Sequence, residues 1–170
     1  DVHIMSMNNE LFINEMLDIG AESITFHYES SFHTDRLINL VKKGGSKVGI
    51  ALNPATSLAV LDYILPQCDS ILLMLINPGF ATDKSEKQVS YADKKVKDLS
   101  ELIRKHNLDV KIQVDGRVSL ETIPKLVSAG ADSLVVGSTS LFIPGNTISE
   151  NKKLLDISIS EGLKGGNFNC

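Results

Sequence analysis

Tryptophan is absent from the 170 residues, aromatic residues make up only 5%, and cysteine occurs twice. Cys68 and Cys170 lie far apart, without CxxC spacing or the density of a disulfide framework. Both read as ordinary packing residues in a reducing compartment, so a cytoplasmic protein is expected. Long apolar runs are missing as well: the longest, Ile71 to Ile76, falls far short of the roughly 18 residues that span a bilayer, so no membrane segment is expected. Positive charge is not in excess, with 17 Lys and Arg against 21 Asp and Glu for a formal net charge of -4. General attraction to nucleic acid or anionic membrane is thereby excluded, and any phosphate must be held by a local site. No strand pattern is followed by GxGxxG or GxxxxGK[ST], which removes the nucleotide-binding folds. The chain also lacks an initiator methionine and opens at Asp1 inside a strand pattern. A fragment without its first segment is the expectation; a cleaved signal peptide is the alternative.

What is present suits one globular core: 42% hydrophobic and 22% charged residues suggest a single domain over 1–170. Strand patterns at 1–5, 22–27, 47–52, 70–76, 110–114 and 132–136 alternate with helical patterns near 8–19, 33–43, 57–65, 85–106, 119–129 and 147–162. Six βα units feeding a parallel sheet follow. Ser85 with Gln88 has capping-box spacing, and Val89, Ala92, Val96, Leu99 and Ile103 form one apolar stripe. Gly20 and Gly130 stand where helices close on a left-handed residue, and the segments 20–24 and 130–134 echo each other like repeated barrel turns. A closed (β/α)8 barrel with two units outside this sequence fits better than an open sheet, and barrel chemistry sits at the C-terminal strand ends.

Those ends read His3-Ile4-Met5, His27-Tyr28-Glu29, Asn53-Pro54-Ala55-Thr56, Asn77-Pro78-Gly79-Phe80, Asp115-Gly116-Arg117 and Gly137-Ser138-Thr139. Turns favour such residues whatever the function. Taken together, however, Asp1 to Met5, Leu52 to Thr56, Leu73 to Phe80, Val114 to Gly116 and Val136 to Ser138 resemble, in order and spacing, the ribulose-phosphate 3-epimerase family. The resemblance runs from residue 1 to about 142. It implies a phosphate-binding TIM barrel, an isomerase that inverts C3 of a ketose phosphate with a divalent metal such as Zn, Fe, Mn or Co.

Residue by residue, the resemblance implies that His3 is a metal ligand and that Asp115 both binds metal and transfers a proton. Proton abstraction next to a ketone needs a base on one face, an acid on the other and a cation at the enediolate oxygens. On their own, His3 could equally be a hydrogen-bonded core histidine and Asp115 a turn aspartate. Asp1 shares His3's face but lies deeper, as an interior polar group. Met5 and Met74 match methionines that crowd the substrate, or are plain packing. Gly79 belongs to a substrate-touching loop. Phosphate is expected against the backbone of Gly116-Arg117 and Gly137-Ser138, where a short following helix would present its N-terminus.

Departures are as informative. No segment matches the strand that brings the family a further histidine and the second catalytic aspartate, about fifty to sixty residues of barrel upstream. Ala81-Thr82-Asp83 and Arg117 replace the usual glycine-rich continuations. Arg117 could clasp the phosphate or be a solvated arginine ahead of a Ser119 helix cap. The 137–142 stretch is similar to allulose-6-phosphate 3-epimerases, so a hexulose phosphate is the alternative to ribulose 5-phosphate. A catalytically inactive phosphate-binding barrel is another alternative. An aldolase or decarboxylase would want a lysine at a strand end, whereas Lys47 and Lys111 fall near strand starts. A homo-oligomer is expected, with neither nucleic acid nor membrane as partner.

Overall fold

The computed structural model describes residues 1–79 and 85–165. Six parallel strands lie side by side in chain order: β1 (Val2–Ile4), β2 (Ser23–His27), β3 (Lys47–Leu52), β4 (Ser70–Met74), β5 (Lys111–Asp115) and β6 (Ser133–Leu134). A doubly wound sheet reverses its strand order at a switch point; this one never does, as in a barrel wall.

Alternation along the strands sorts the residues onto two faces. Ile4, Ile24, Phe26, Val48, Ile50, Leu52, Ile71, Leu73, Ile112 and Val114 belong to the main core, packed with the helices. The other face carries His3, Thr25, His27, Gly49, Ser70, Gln113 and Asp115, with a small apolar patch of Ala51, Leu72 and Met74. In a flat sheet β1 and β5 would stand four spacings apart, about 19 Å. Instead Gln113 Nε2 donates to Asp1 Oδ2 at 3.0 Å, so the sheet curls into a half-barrel with this face inside. Asp1 bonds a residue of this inner face, yet it is exposed rather than an interior polar group.

The helices follow their sequence signals. They are α1 (Asn9–Asp18), α2 (Thr34–Lys43), α3 (Ala92–Lys105), α4 (Ile123–Ala129) and α5 (Ile148–Gly165). Ala92, Val96, Leu99 and Ile103 are buried, as their stripe requires. Gly20 (φ 78°) and Gly130 (φ 112°) close α1 and α4 with the same pair of bonds. Gly20 and Ala21 donate to Leu17 and Met16, Gly130 and Ala131 to Val127 and Leu126. Strand starts repeat a second device: Asp69 accepts the Val48 N–H and Asp132 the Ile112 N–H, each at 2.8 Å.

Three helical expectations need correction. The 57–65 pattern forms two 3-10 turns, Leu58–Leu61 and Leu65–Gln67. Ser57 caps the first, and Pro66, with no N–H, suits only the start of the second. The 85–106 helix begins at Ala92, and Ser85 with Gln88 makes no capping box; Gln88 is engaged elsewhere. The 119–129 helix is confined to 123–129, with Thr122 at its N-cap; Ser119 and Thr122 bond each other in the turn before it. A capping box does form at Thr147 and Glu150, ahead of α5. Cys68 is buried, which pushes its thiol up to about 12 and makes it inert, while Cys170 lies outside the described residues.

Gly49 is the tightest point of the inner face: a Cβ there would stand 2.1 Å from Thr25 Oγ1 and 2.8 Å from Ser70 Oγ. Gly49→Ala should cost about 1–3 kcal/mol, read as a lowered urea midpoint at unchanged slope. An unchanged midpoint would show that β2 and β4 part freely around this position.

Candidate active site

The strand ends bring His3 and Asp115 together although 112 residues separate them. His3 Nδ1 lies 3.8 Å from Asp115 Oδ2, both side chains about a quarter exposed. His27 stands on the other side of His3, buried, with the two Nε2 atoms 3.0 Å apart. The ring planes differ by 25° with centroids 5.0 Å apart, so the imidazoles meet edge to edge. His27 Nδ1 in turn faces Glu29 Oε2 at 3.3 Å. Glu29 sits on a 3-10 turn, Tyr28–Ser30, fastened by Ser30 Oγ to His27 O and by Asn9 Nδ2 to Ser30.

Glu29 Oε1 accepts the Asn53 N–H at 2.7 Å and the Thr56 hydroxyl. Burial works to raise its pKa, but the bonds from His27, Thr56 and Asn53 outweigh that and bring the carboxyl down to about 2. Lys95, on α3, donates to the carbonyls of Asn53, Pro54 and Thr56 at 2.7–2.9 Å and so fixes the loop that holds Glu29. Burial lowers the Lys95 pKa, partly countered by Glu29.

Two clefts flank His3 and Asp115. One, about 200 Å³, is lined by Ile76, Asp115, Gly116, Arg117, Gly137 and Ser138, so the expected phosphate residues do converge beside the carboxylate. Gly116 has φ 112°, and a Cβ on it would lie 3.0 Å from the Ile76 nitrogen. Arg117 follows at φ 50°, a left-handed backbone that glycine adopts at less cost. Gln88 Nε2 donates to the carbonyls of both, at 2.9 and 3.0 Å, which turns the next amides away from it. The short helix expected after Gly137 is a single turn, in which Ser140, Leu141 and Phe142 all donate to the Gly137 carbonyl. The other cleft, about 320 Å³, includes Met5, Met7, His27, Glu29, Asn53 and Pro78. Met5 is exposed at the mouth, and Met74 is buried in the inner apolar patch. Gly79 has φ 93°, and a Cβ on it would meet no described residue within 4 Å, while Phe80 to Lys84 lie outside the described residues. A larger groove of about 820 Å³ lies between α3, α4 and α5, away from every strand end, and has no part in this site.

The model of the ribulose-phosphate 3-epimerase family matches residues 1–142. The chain belongs to that family. It is 42% identical over 138 residues to the ribulose-phosphate 3-epimerase of Buchnera aphidicola subsp. Schizaphis graminum, covering 81% of this chain and 59% of the relative. It is 36% identical over 161 residues to that of Escherichia coli K12, covering 95% and 68%. The chain therefore spans three fifths to two thirds of the length of these relatives. Solved structures share the fold: 3-hexulose-6-phosphate synthase from Salmonella typhimurium superposes with TM-score 0.63 at 17% identity over 93% of this chain and 71% of that one. Orotidine 5'-phosphate decarboxylase from Pyrococcus horikoshii gives 0.55 at 15%, over 89% and 67%.

The surroundings of His3 are the part that the motifs did not single out. His27, Glu29, Lys95 and Gln88 carry no assigned role in the sequence reading, although His-x-Glu at one strand end and Asn-Pro at the next was visible. Lys47 and Lys111 open β3 and β5 far from the site, paired with Glu22 and Asp109.

Because Glu29 is ionised in the fold down to about 2, against an ordinary 4.5, its contribution to stability is complete above 4.5 and lost as pH falls toward 2. The stability gap between the wild type and Glu29→Gln should be at most about 3 kcal/mol at pH 7, reduced by partial solvent exposure, and close over that window. A gap constant from pH 7 to pH 2.5 in urea titrations would contradict the assignment.

Proposed function

We propose that this chain forms the greater part of a single barrel domain of a ketose-phosphate 3-epimerase that interconverts ribulose 5-phosphate and xylulose 5-phosphate. The observation that carries the reading is the approach of His3 Nδ1 and Asp115 Oδ2, from β1 and β5, beside a cleft with two glycines.

A divalent cation fits this pair on chemistry. An imidazole nitrogen and a carboxylate oxygen 3.8 Å apart are close enough for one ion to reach both at about 2.1 Å, suiting Zn, Fe, Mn or Co. Among the described residues no group of three or more His, Cys, Asp or Glu is arranged so that it could hold a metal ion, so His3 and Asp115 would be part of a ligand set. When bound, such an ion would neutralise negative charge developing on the substrate's enediolate.

The chain's own residues do the rest. Asp115 takes the C3 proton on a carboxylate oxygen from one face and returns it in the reverse direction. A proton must also be delivered on the opposite face, and the family pattern puts that carboxylate on a strand no segment here matches. The Gly116-Arg117 and Gly137-Ser138 loops receive the phosphate, with Gln88 holding the first in shape. Met74, buried in the inner face below, and Met5 at the mouth limit water around the reacting carbons. The likeness of the 137–142 stretch to allulose-6-phosphate 3-epimerases supports a hexulose phosphate as the alternative substrate. No helix among the described residues is long and apolar enough to cross a membrane. The sparse, widely spaced cysteines support a cytoplasmic enzyme, and a homo-oligomer is the proposed assembly.

An inactive phosphate-binding barrel would show no turnover, which two variants of the full-length protein address. Asp115→Asn should fold normally and lose epimerisation by about 10²-fold or more; activity within tenfold of wild type, less than about 1.4 kcal/mol of barrier, would refute the proton-transfer role. His3→Ala should bind metal with greatly reduced occupancy by elemental analysis, since one ligand of a small set is gone. Full occupancy would remove His3 from the site.

A further inference from the structure

With both imidazoles neutral, the chain of contacts behind His3 has one workable direction. A neutral imidazole has one donor and one acceptor nitrogen. Glu29 already collects the Asn53 N–H and the Thr56 hydroxyl on Oε1, and an ionised carboxylate can only accept. His27 Nδ1, 3.3 Å from Oε2, must therefore carry the proton, which makes His27 Nε2 an acceptor. The 3.0 Å contact between the two Nε2 atoms then requires the proton on His3 Nε2. The reverse direction would set a lone pair of His27 against the Glu29 carboxylate.

We propose that Glu29, acting through His27, is a positioning residue that fixes the tautomer of His3, leaving Nδ1 as a lone pair that faces Asp115. The far end of the chain is rigid, because Lys95 binds the three carbonyls of the loop that donates to Glu29. Without this relay His3 would place its proton on Nδ1 part of the time, where the Asp115 carboxylate 3.8 Å away attracts it and where it would block a ligand position. The inference rests on the proposed use of His3 as a ligand for its purpose, but its geometry stands independently of the reaction.

The test is a long-range proton–nitrogen correlation spectrum of the histidine rings in the metal-free, ¹⁵N-labelled full-length protein at neutral pH. His3 should show a protonated Nε2 and a lone-pair Nδ1, and His27 the opposite arrangement. In Glu29→Gln both rings should shift toward mixed tautomers, and Zn²⁺ affinity by chelator competition should fall about 10–100-fold. A wild-type His3 protonated at Nδ1 would overturn the proposal even if the variant failed to fold. So would unchanged ring tautomers and Zn²⁺ affinity in a folded Glu29→Gln. If the tautomers are as stated while Asp115→Asn keeps its activity, only the epimerase reading falls.

Discussion

Side chains from strands that would stand about 19 Å apart in a flat sheet can meet only if the sheet bends back on itself. Here β1 and β5 face each other closely enough for Gln113 to bond Asp1 and for His3 to stand 3.8 Å from Asp115. The approach of His3 to Asp115 depends on that curvature. It arises from the twist of parallel strands packed on one face by helices, and from the small residues that permit close approach on the other. Gly49, between Thr25 and Ser70, is where the inner face is most tightly drawn in.

The two faces divide the work. The outer face is a continuous apolar core that supplies the stability and fixes strand register, since a slip of one residue would exchange the faces. The inner face carries the polar groups, and burying those is costly unless they bond one another. The run from Asn53 and Thr56 through Glu29, His27 and His3 meets that demand for the Glu29 carboxylate and the His27 ring while leaving one nitrogen and one carboxylate at the mouth. A stability requirement and a functional orientation are here served by the same bonds.

Much of this was legible beforehand. Short β-rich runs alternating with helical patterns located all six strands, because parallel strands covered by helices are apolar and short. His3, Asp115 and the loops at Gly116 and Gly137 were singled out through the family resemblance, and the fold brings them together. Three things escaped. The weak 57–65 pattern, followed directly by Pro66, never gathers enough consecutive helical bonds. The Ser85 and Gln88 spacing looks like a capping box, yet Gln88 spends its amide on the Gly116 and Arg117 carbonyls, a contact across 28 residues that no local pattern encodes. The role of His27 and Glu29 depends on the register of β1 against β2, which brings the two histidines to one face.

The most direct measurement follows the proton itself. The full-length protein is incubated with ribulose 5-phosphate in deuterium oxide, and hydrogen at each carbon is followed by proton NMR as xylulose 5-phosphate forms. A carboxylate that removes the C3 proton and exchanges it with solvent should leave deuterium at C3 of the product, with the other carbon-bound positions unlabelled. Retention of hydrogen at C3 with no xylulose 5-phosphate formed, in a folded and metal-loaded protein, would contradict a C3 epimerase built on His3 and Asp115.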